Sequence, residues 1–176
     1  MLRVREMAEP DVEAVAAVRV RGWQFAYAGL MPQSYLDAMS VEQDAARRRD
    51  HFARGRGTMV NLVAERDGAV VGWACVGPCR DEDAAPADGE LYALYVLPEQ
   101  LSTGAGRALL AESVARAVDR GFPKLRLWVL KGNARARRFY EIAGFAPDGA
   151  VEPYEVDGVP VPEVRYTLSL SSRPHT

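Results

Sequence analysis

The rhythm of apolar and polar positions lays out the elements of the chain. Residues 2–6 predict a first strand. Glu9-Pro10-Asp11 then starts a helix that carries Val12, Val15, Ala16 and Val18 inward, with Trp23, Phe25 and Tyr27 near its end and a break at Gly29 to Pro32. A second helical stretch is predicted over about 33–39. Ser40 caps a third, with Glu42 and Gln43 near its first turn and Arg47, Arg48 and Arg49 further on. Residues 58–65 and 69–76 alternate around Arg66-Asp67-Gly68, a hairpin signal. Residues 78–88, PCRDEDAAPAD, are a polar loop. Gly89 to Val96 is a strand, followed by Pro98, a short polar loop, Gly104-Ala105-Gly106 and an apolar helix. Lys124 to Leu130 (KLRLWVL) is again strand-like. Asn133 and Gly144 have the character of an N-cap and a C′ residue with a short helix between them. Two further strands are predicted near 146–154 and 161–170, joined at Asp157-Gly158, and residues 171–176 form a loose tail. This order predicts one α+β domain over 1–170, with a mixed, mostly antiparallel sheet flanked by helices.

Chemistry concentrates in the two strand–loop–helix units. A glycine-rich hinge at a helix start exposes backbone N–H groups where the macrodipole favours anions, so Gly104-x-Gly106 has the character of a phosphate cradle for a nucleotide-containing cofactor. It is no P-loop, because GxxxxGK followed by Ser or Thr is absent. It is no Rossmann fingerprint either, because the third Gly is replaced by Leu109. Taken alone, a tight turn that merely starts a helix explains it as well. In the second unit, Asn133 and Tyr140 stand seven residues apart. Seven steps of about 100° bring both to nearly the same face, about 10 Å apart along the axis.

Together the segments NARARRFYEIAGF and GELYALYVLPEQLSTGAGRALL resemble the GCN5-related N-acetyltransferase (GNAT) family, over roughly Gly89 to Phe145. Val96-Leu97-Pro98 and Gly104-Ala105-Gly106 match its acyl-CoA motif, a strand ending in V-x-P followed by Q/R-x-x-G-x-G/A. Leu101 and Ser102 depart from it, standing where a Gln or Arg and a first Gly are usual; the hydroxyls of Ser102 and Thr103 are partial substitutes. Asn133, Ala136, Phe139, Tyr140, Glu141, Gly144 and Phe145 match the later motif N-x-x-A-x-x-F-Y-E-x-x-G-F. The resemblance implies a GNAT-like sheet of about six or seven strands with a splayed central pair. The pantetheine arm of acetyl-CoA would enter the gap like an added strand. By the same analogy Leu94, Tyr95 and Val96 would hold that arm. Ser102, Thr103, Gly104, Ala105, Gly106 and Arg107 would hold the pyrophosphate, and Asn133 would touch the pantetheine.

Acetyl transfer to an amine needs three things. The thioester oxygen needs a donor, and a backbone N–H near Tyr95 or Val96 is the candidate. An alkylamine of pKa about 10.4 must lose a proton, which costs roughly 4.6 kcal/mol at pH 7. The leaving thiolate needs a proton or hydrogen bond. In the family this last role falls to the Tyr matched by Tyr140; transfer from a phenol to a thiolate is uphill by about 2 kcal/mol, so water is a possible substitute. Glu90, at the start of the cofactor strand where the family often places a carboxylate, is the candidate base, directly or through water; a solvated strand-end charge is the alternative. Its period-2 partners Tyr92 and Leu94 are expected on its face, and Asp88 is a weaker substitute. Trp23 and Tyr27 form either an aromatic substrate wall or core. Asp81, Glu82, Asp83 and Asp88 either attract a cationic amine or solubilise a loop. Arg135, Arg137 and Arg138 either meet the cofactor's phosphates or face solvent.

Bulk properties fit this outline. A chain of 176 residues suits one domain, and a net charge of −2 argues against a nucleic-acid surface. No run of about 18 apolar residues predicts a membrane span, and MLRVREMAEP lacks a signal-peptide core, so a cytoplasmic protein is expected. Cys75 and Cys79 would lie about 13 Å apart if extended, too far for a disulfide. With only His51 and His175 beside them, no zinc set is expected. Three functions remain: an N-acetyltransferase of small amines, one acting on protein N-termini or lysines, and a non-catalytic acyl-CoA-binding module. A homodimer is compatible with each.

Overall fold

The computed structural model describes residues 1–170; the predicted tail at 171–176 lies outside the described residues. The elements run β1 Leu2–Glu6, α1 Val12–Ala26, α2 Gln33–Ala38, α3 Val41–Arg54, β2 Val60–Arg66, β3 Ala69–Pro78, β4 Gly89–Val96, α4 Ala105–Asp119, β5 Lys124–Leu130, α5 Ala134–Ile142, β6 Ala146–Val156 and β7 Val159–Ser169. The strands form one seven-stranded sheet of order β1-β2-β3-β4-β5-β7-β6. All neighbours are antiparallel except β4 and β5. Among the described residues no helix is long and apolar enough to cross a membrane.

Local chemistry fixes the element ends. The Ser40 hydroxyl accepts the Gln43 N–H at 3.3 Å and the Asn133 side chain accepts the Ala136 N–H at 3.2 Å, so both are true N-caps. The β2–β3 turn places Asp67 and Gly68 at φ +52° and +84°, the left-handed pair of a tight hairpin turn.

Two apolar layers sandwich the sheet. Leu62, Leu109, Leu125, Leu127 and Tyr166 belong to the layer beneath α4 and α5. Val12, Val15, Val18, Val63 and Trp73 belong to the layer beneath α1 and α3. A third cluster, around Trp23, Leu36, Leu130 and Val161, joins α1 and α2 to the far strands.

The centre of the sheet is irregular in two ways. First, β4 and β5 share only the pairs Gly89↔Leu125 and Glu90↔Arg126, then part. Second, Cys75 pairs Ala93 while Val76 pairs Leu91, so Tyr92 is an extra residue on β4. This bulge changes the side-chain alternation. Tyr92, Ala93 and Tyr95 pack toward α1 and α3, whereas Leu91, Leu94 and Val96 pack toward α4. The expected shared face of Glu90, Tyr92 and Leu94 is therefore corrected at Leu94, which the bulge sends to the opposite side.

Close approach of α4 to the sheet depends on Gly72. A Cβ there would lie 2.7 Å from Leu109 Cδ1 and 3.2 Å from the Tyr95 carbonyl oxygen, and Leu109 is fully buried. Gly72→Ala is expected to destabilise the fold by about 1–3 kcal/mol through overpacking, measured by urea denaturation. An unchanged midpoint would show that α4 relaxes freely.

Candidate active site

Where β4 and β5 part, the backbone of β4 from Leu91 to Val96 keeps β3 on one side and has no strand on the other. Its free edge offers N–H and C=O groups to an extended ligand. Past Val96 the chain passes through a short 3₁₀ turn at Pro98–Gln100 and reaches Gly104. Gly104 is the N-cap of α4 at φ +95°, and no side chain caps the helix. The N–H groups at the start of α4 are thus available to an anion, with the helix dipole in support. A Cβ on Gly106 would meet Phe139 and Val96 at 3.6 Å, an ordinary contact.

Two arginines flank this loop. Arg66 donates to the Gln100 side chain at 3.0 Å and to the Thr103 carbonyl at 3.1 Å. Arg135 donates to the Ser102 hydroxyl at 2.8 Å. Neither has a carboxylate partner among the described residues, so both leave positive charge beside the α4 start. They supply what Leu101 cannot. Ser102 itself sits at φ +62°, a left-handed conformation that explains why glycine suits that position. Arg137 instead bonds the Tyr166 hydroxyl and the Lys131 carbonyl, so it is structural.

Tyr140 is buried against Phe139 and Phe145. Its hydroxyl has no hydrogen-bond partner among the described residues, and burial pushes its pKa up. Tyr95 adds to that shift, and Tyr27 feels both Tyr95 and Tyr140. The Tyr27 and Tyr95 hydroxyls approach to 3.5 Å. The three phenols thus connect the α5 side of the splay with the α1 side. Asn133 caps α5 in front of them.

On the α1 side lies a cleft of about 720 Å³. Trp23, Tyr27, Trp73, Tyr95 and Trp128 line it, and Trp23 and Tyr27 also belong to the third core cluster; Trp23 is buried and meets Tyr27 edge-on at 5.0 Å. Glu90 also lines the cleft. It is 2 % exposed and bound by Arg80, through the backbone N–H at 3.0 Å and the guanidinium at 2.8 Å. A solvated strand-end charge is therefore not what Glu90 is.

Sequence reasoning missed Glu163. It stands on β7 directly opposite Glu152 on β6, lines the same cleft, and has no hydrogen-bond partner among the described residues. Burial first, then the charges of Glu152 and Glu90, push its pKa up to about 7, with Arg80 opposing. No local motif marks it; the signal is the Pro160–Glu163 strand pattern, legible only once β6 and β7 are in register.

Three of the four carboxylates of the acidic run 81–88 are tied to the scaffold, while Glu82 stays exposed. Asp81 accepts the Trp128 indole N–H at 2.9 Å, Asp83 holds Arg165 at 2.8 and 3.0 Å, and Arg126 approaches Asp83 and Asp88 at 3.1 and 3.9 Å. The loop is pinned to β5 and β7 by their arginines. Cys79, Asp81 and Glu90 present donor atoms within 4.8 Å of one another, but Arg80, Arg165 and Trp128 already engage the two carboxylates. Burial raises the Cys75 thiol to about 12, so it stays protonated. Both cysteines are free.

Comparison with known proteins agrees with this architecture. A model of the acetyltransferase (GNAT) family matches residues 23–145. The chain is 33 % identical over 165 residues to an uncharacterized N-acetyltransferase, YuaI, of Bacillus subtilis (strain 168), covering 93 % of this chain and 91 % of that protein. Among solved structures it is similar to the ribosomal-protein-alanine N-acetyltransferase of Brucella melitensis, with TM-score 0.75, 25 % identity and 96 % and 99 % of the two chains covered. It is also similar in fold to the PaiA N-acetyltransferase of Thermoplasma acidophilum in complex with coenzyme A, with TM-score 0.73, 20 % identity and 96 % and 99 % coverage.

The state of Glu163 has a measurable consequence. Its pKa in the fold, about 7, lies above the value of about 4.3 in an unfolded chain. The folded state therefore binds the extra proton between those values, and stability falls as pH rises through that window. Glu163→Gln, a neutral mimic, is expected to raise the melting temperature at pH 8 and to leave it unchanged near pH 4.5. An equal shift at both pH values would show that the carboxylate is not strained by ionisation.

Proposed function

This chain belongs to the acetyltransferase (GNAT) family, whose acyl donor is acetyl-CoA, and from that premise we propose that it transfers an acetyl group to the primary amine of a small molecule by direct attack. The observation that carries the reading is the parting of β4 from β5 after Glu90. It joins a free strand edge and an uncapped helix start to a cleft walled by aromatic rings. The size of the cleft and the aromatic side chains that line it favour a small acceptor over a protein surface.

The residues fit acetyl-CoA. Leu94, Tyr95 and Val96 offer backbone groups to its pantetheine arm. The Ser102–Arg107 segment, with Arg66 and Arg135 beside it, offers donors and positive charge to its pyrophosphate. Bound there, acetyl-CoA supplies an activated thioester. A backbone N–H near Tyr95 or Val96 stabilises the negative charge that develops on the thioester oxygen. Tyr140 donates its unpaired phenol hydrogen to the departing sulfur. Because burial raises the Tyr140 pKa, a hydrogen bond serves better than complete proton transfer.

For the amine proton, Glu163 is a better acceptor than Glu90. A base with pKa near 7 accepts a proton at neutral pH and can release it afterwards. Glu90 is committed to Arg80; its charge adds to the field that raises Glu163. Trp23 and Tyr27 position the acceptor.

The test is acetyl-CoA binding by calorimetry, followed by thiol release with a panel of amines. Wild type is expected to bind acetyl-CoA and to acetylate at least one small amine. Tyr140→Phe is expected to lower turnover about a hundredfold, the lower part of the range for general acids, with acetyl-CoA affinity held within about twofold. Folded wild type that binds no acetyl-CoA would overturn the reading. A Phe variant with undiminished turnover would remove Tyr140 from the chemistry.

A further inference from the structure

The acceptor cleft carries incompletely compensated charge of both signs, sorted to different walls. Resting on the acetyltransferase reading above, we propose that the acceptor is an amine that also bears a carboxylate, with its ammonium against Glu163 and Glu152 and its carboxylate against Arg48.

The basic wall is built by α1 and α3 above β3. Arg48 lines the cleft with its side chain 15 % exposed. None of its N–H donors has a hydrogen-bond partner among the described residues, and its Nε is fully buried. The nearest carboxylate oxygen, Asp44 Oδ2, is 3.7 Å away. The other oxygen of Asp44 is already taken by Arg19 at 2.7 Å. Two guanidinium groups thus share one carboxylate and leave a net positive charge facing the cleft. The rings of Trp23 and Trp73 hold them in place, with Arg19 4.4 Å and Arg48 5.5 Å from the respective ring centres. A mostly buried guanidinium without acceptors is unfavourable unless an anion satisfies it, and its planar fork matches a carboxylate.

The acidic wall is built by β6 and β7 on the far side of the splay. Glu163 and Glu152 face each other across those strands, and among the described residues no cation is paired to either. The cation nearest in charge, Arg80, is bound to Glu90. A simple alkylamine or a polyamine would neutralise this wall and leave Arg48 with only its share of Asp44. An acceptor with both groups neutralises both walls, and the rings between them pack its carbon skeleton.

The experiment compares matched pairs that differ only in the carboxylate: phenylalanine with 2-phenylethylamine, 4-aminobutyrate with propylamine, and 6-aminohexanoate with pentylamine. Acetyl transfer is followed by thiol release, and binding to the protein saturated with coenzyme A by calorimetry. At least one amino acid is expected to exceed its partner about tenfold or more in kcat/KM, the effect of one charge-assisted hydrogen-bonded pair. Arg48→Met should bring the kcat/KM ratio within each pair down to about one, and Arg48→Lys should restore part of it. Amines that equal or surpass the amino acids in every pair would overturn the proposal, as would an Arg48→Met variant that weakens both members alike. Acetyl-CoA binding without binding or acetylation of any pair member would overturn it and leave the acetyltransferase reading intact. Failure to bind acetyl-CoA would remove both.

Discussion

Everything functional in this fold depends on β4 and β5 giving up their hydrogen bonds after two residue pairs. Each strand keeps one good neighbour: β4 has β3 along its length, and β5 has β7 from Lys124 to Leu130. The sheet therefore survives the loss. What remains is a wedge lined by backbone donors and acceptors, which must be satisfied by water or by a ligand. The bulge at Tyr92 assists, because a bulged strand bends and twists away from its partner. It also resets the side-chain alternation, so that Tyr95 stacks on Trp73 in the cleft on the α1 side while Val96 packs beside α4.

The two sides of the wedge are electrostatically different. On the α4 side, an uncapped helix start, Arg66 and Arg135 make a positive environment suited to phosphates. On the α1 side, the charges are mixed and held apart by aromatic rings. The chain spends many ion pairs on scaffolding, such as Arg165 with Asp83 and Asp148. Arg48, which shares Asp44 with Arg19, and Glu152 and Glu163, which have no ion pair among the described residues, all line the cleft.

How much of this was legible in the sequence follows from the range of each interaction. Ser40, Asn133 and Asp67-Gly68 act within three or four residues, so their caps and turn were readable. The loop before α4 and the α5 helix carrying Tyr140 were readable because their motifs are continuous, and the departure at Ser102 pointed to a backbone position that the structure places at positive φ. The bulge was not readable, because it arises from the pairing of Cys75 and Val76 with β4, and it misled the expectation for Leu94. Glu163 was not readable, because its raised pKa comes first from burial in the folded cleft and then from the charges of Glu152 and Glu90 on two other strands. The ion pairs of the acidic run were not readable because their partners, Arg126 and Arg165, lie far along the chain. Arg66 escaped notice because it belongs to the hairpin turn and meets the loop only through Gln100 and Thr103.

The central claim is that the open edge of β4 and the start of α4 receive acetyl-CoA together. Residue-resolved amide hydrogen exchange, with and without saturating acetyl-CoA, tests it most directly. Protection is expected at those Leu91–Val96 amides that β3 does not bond and at the first amides of α4, with β1 and β2 unchanged. Unaltered exchange along β4 when calorimetry shows the protein saturated would contradict it.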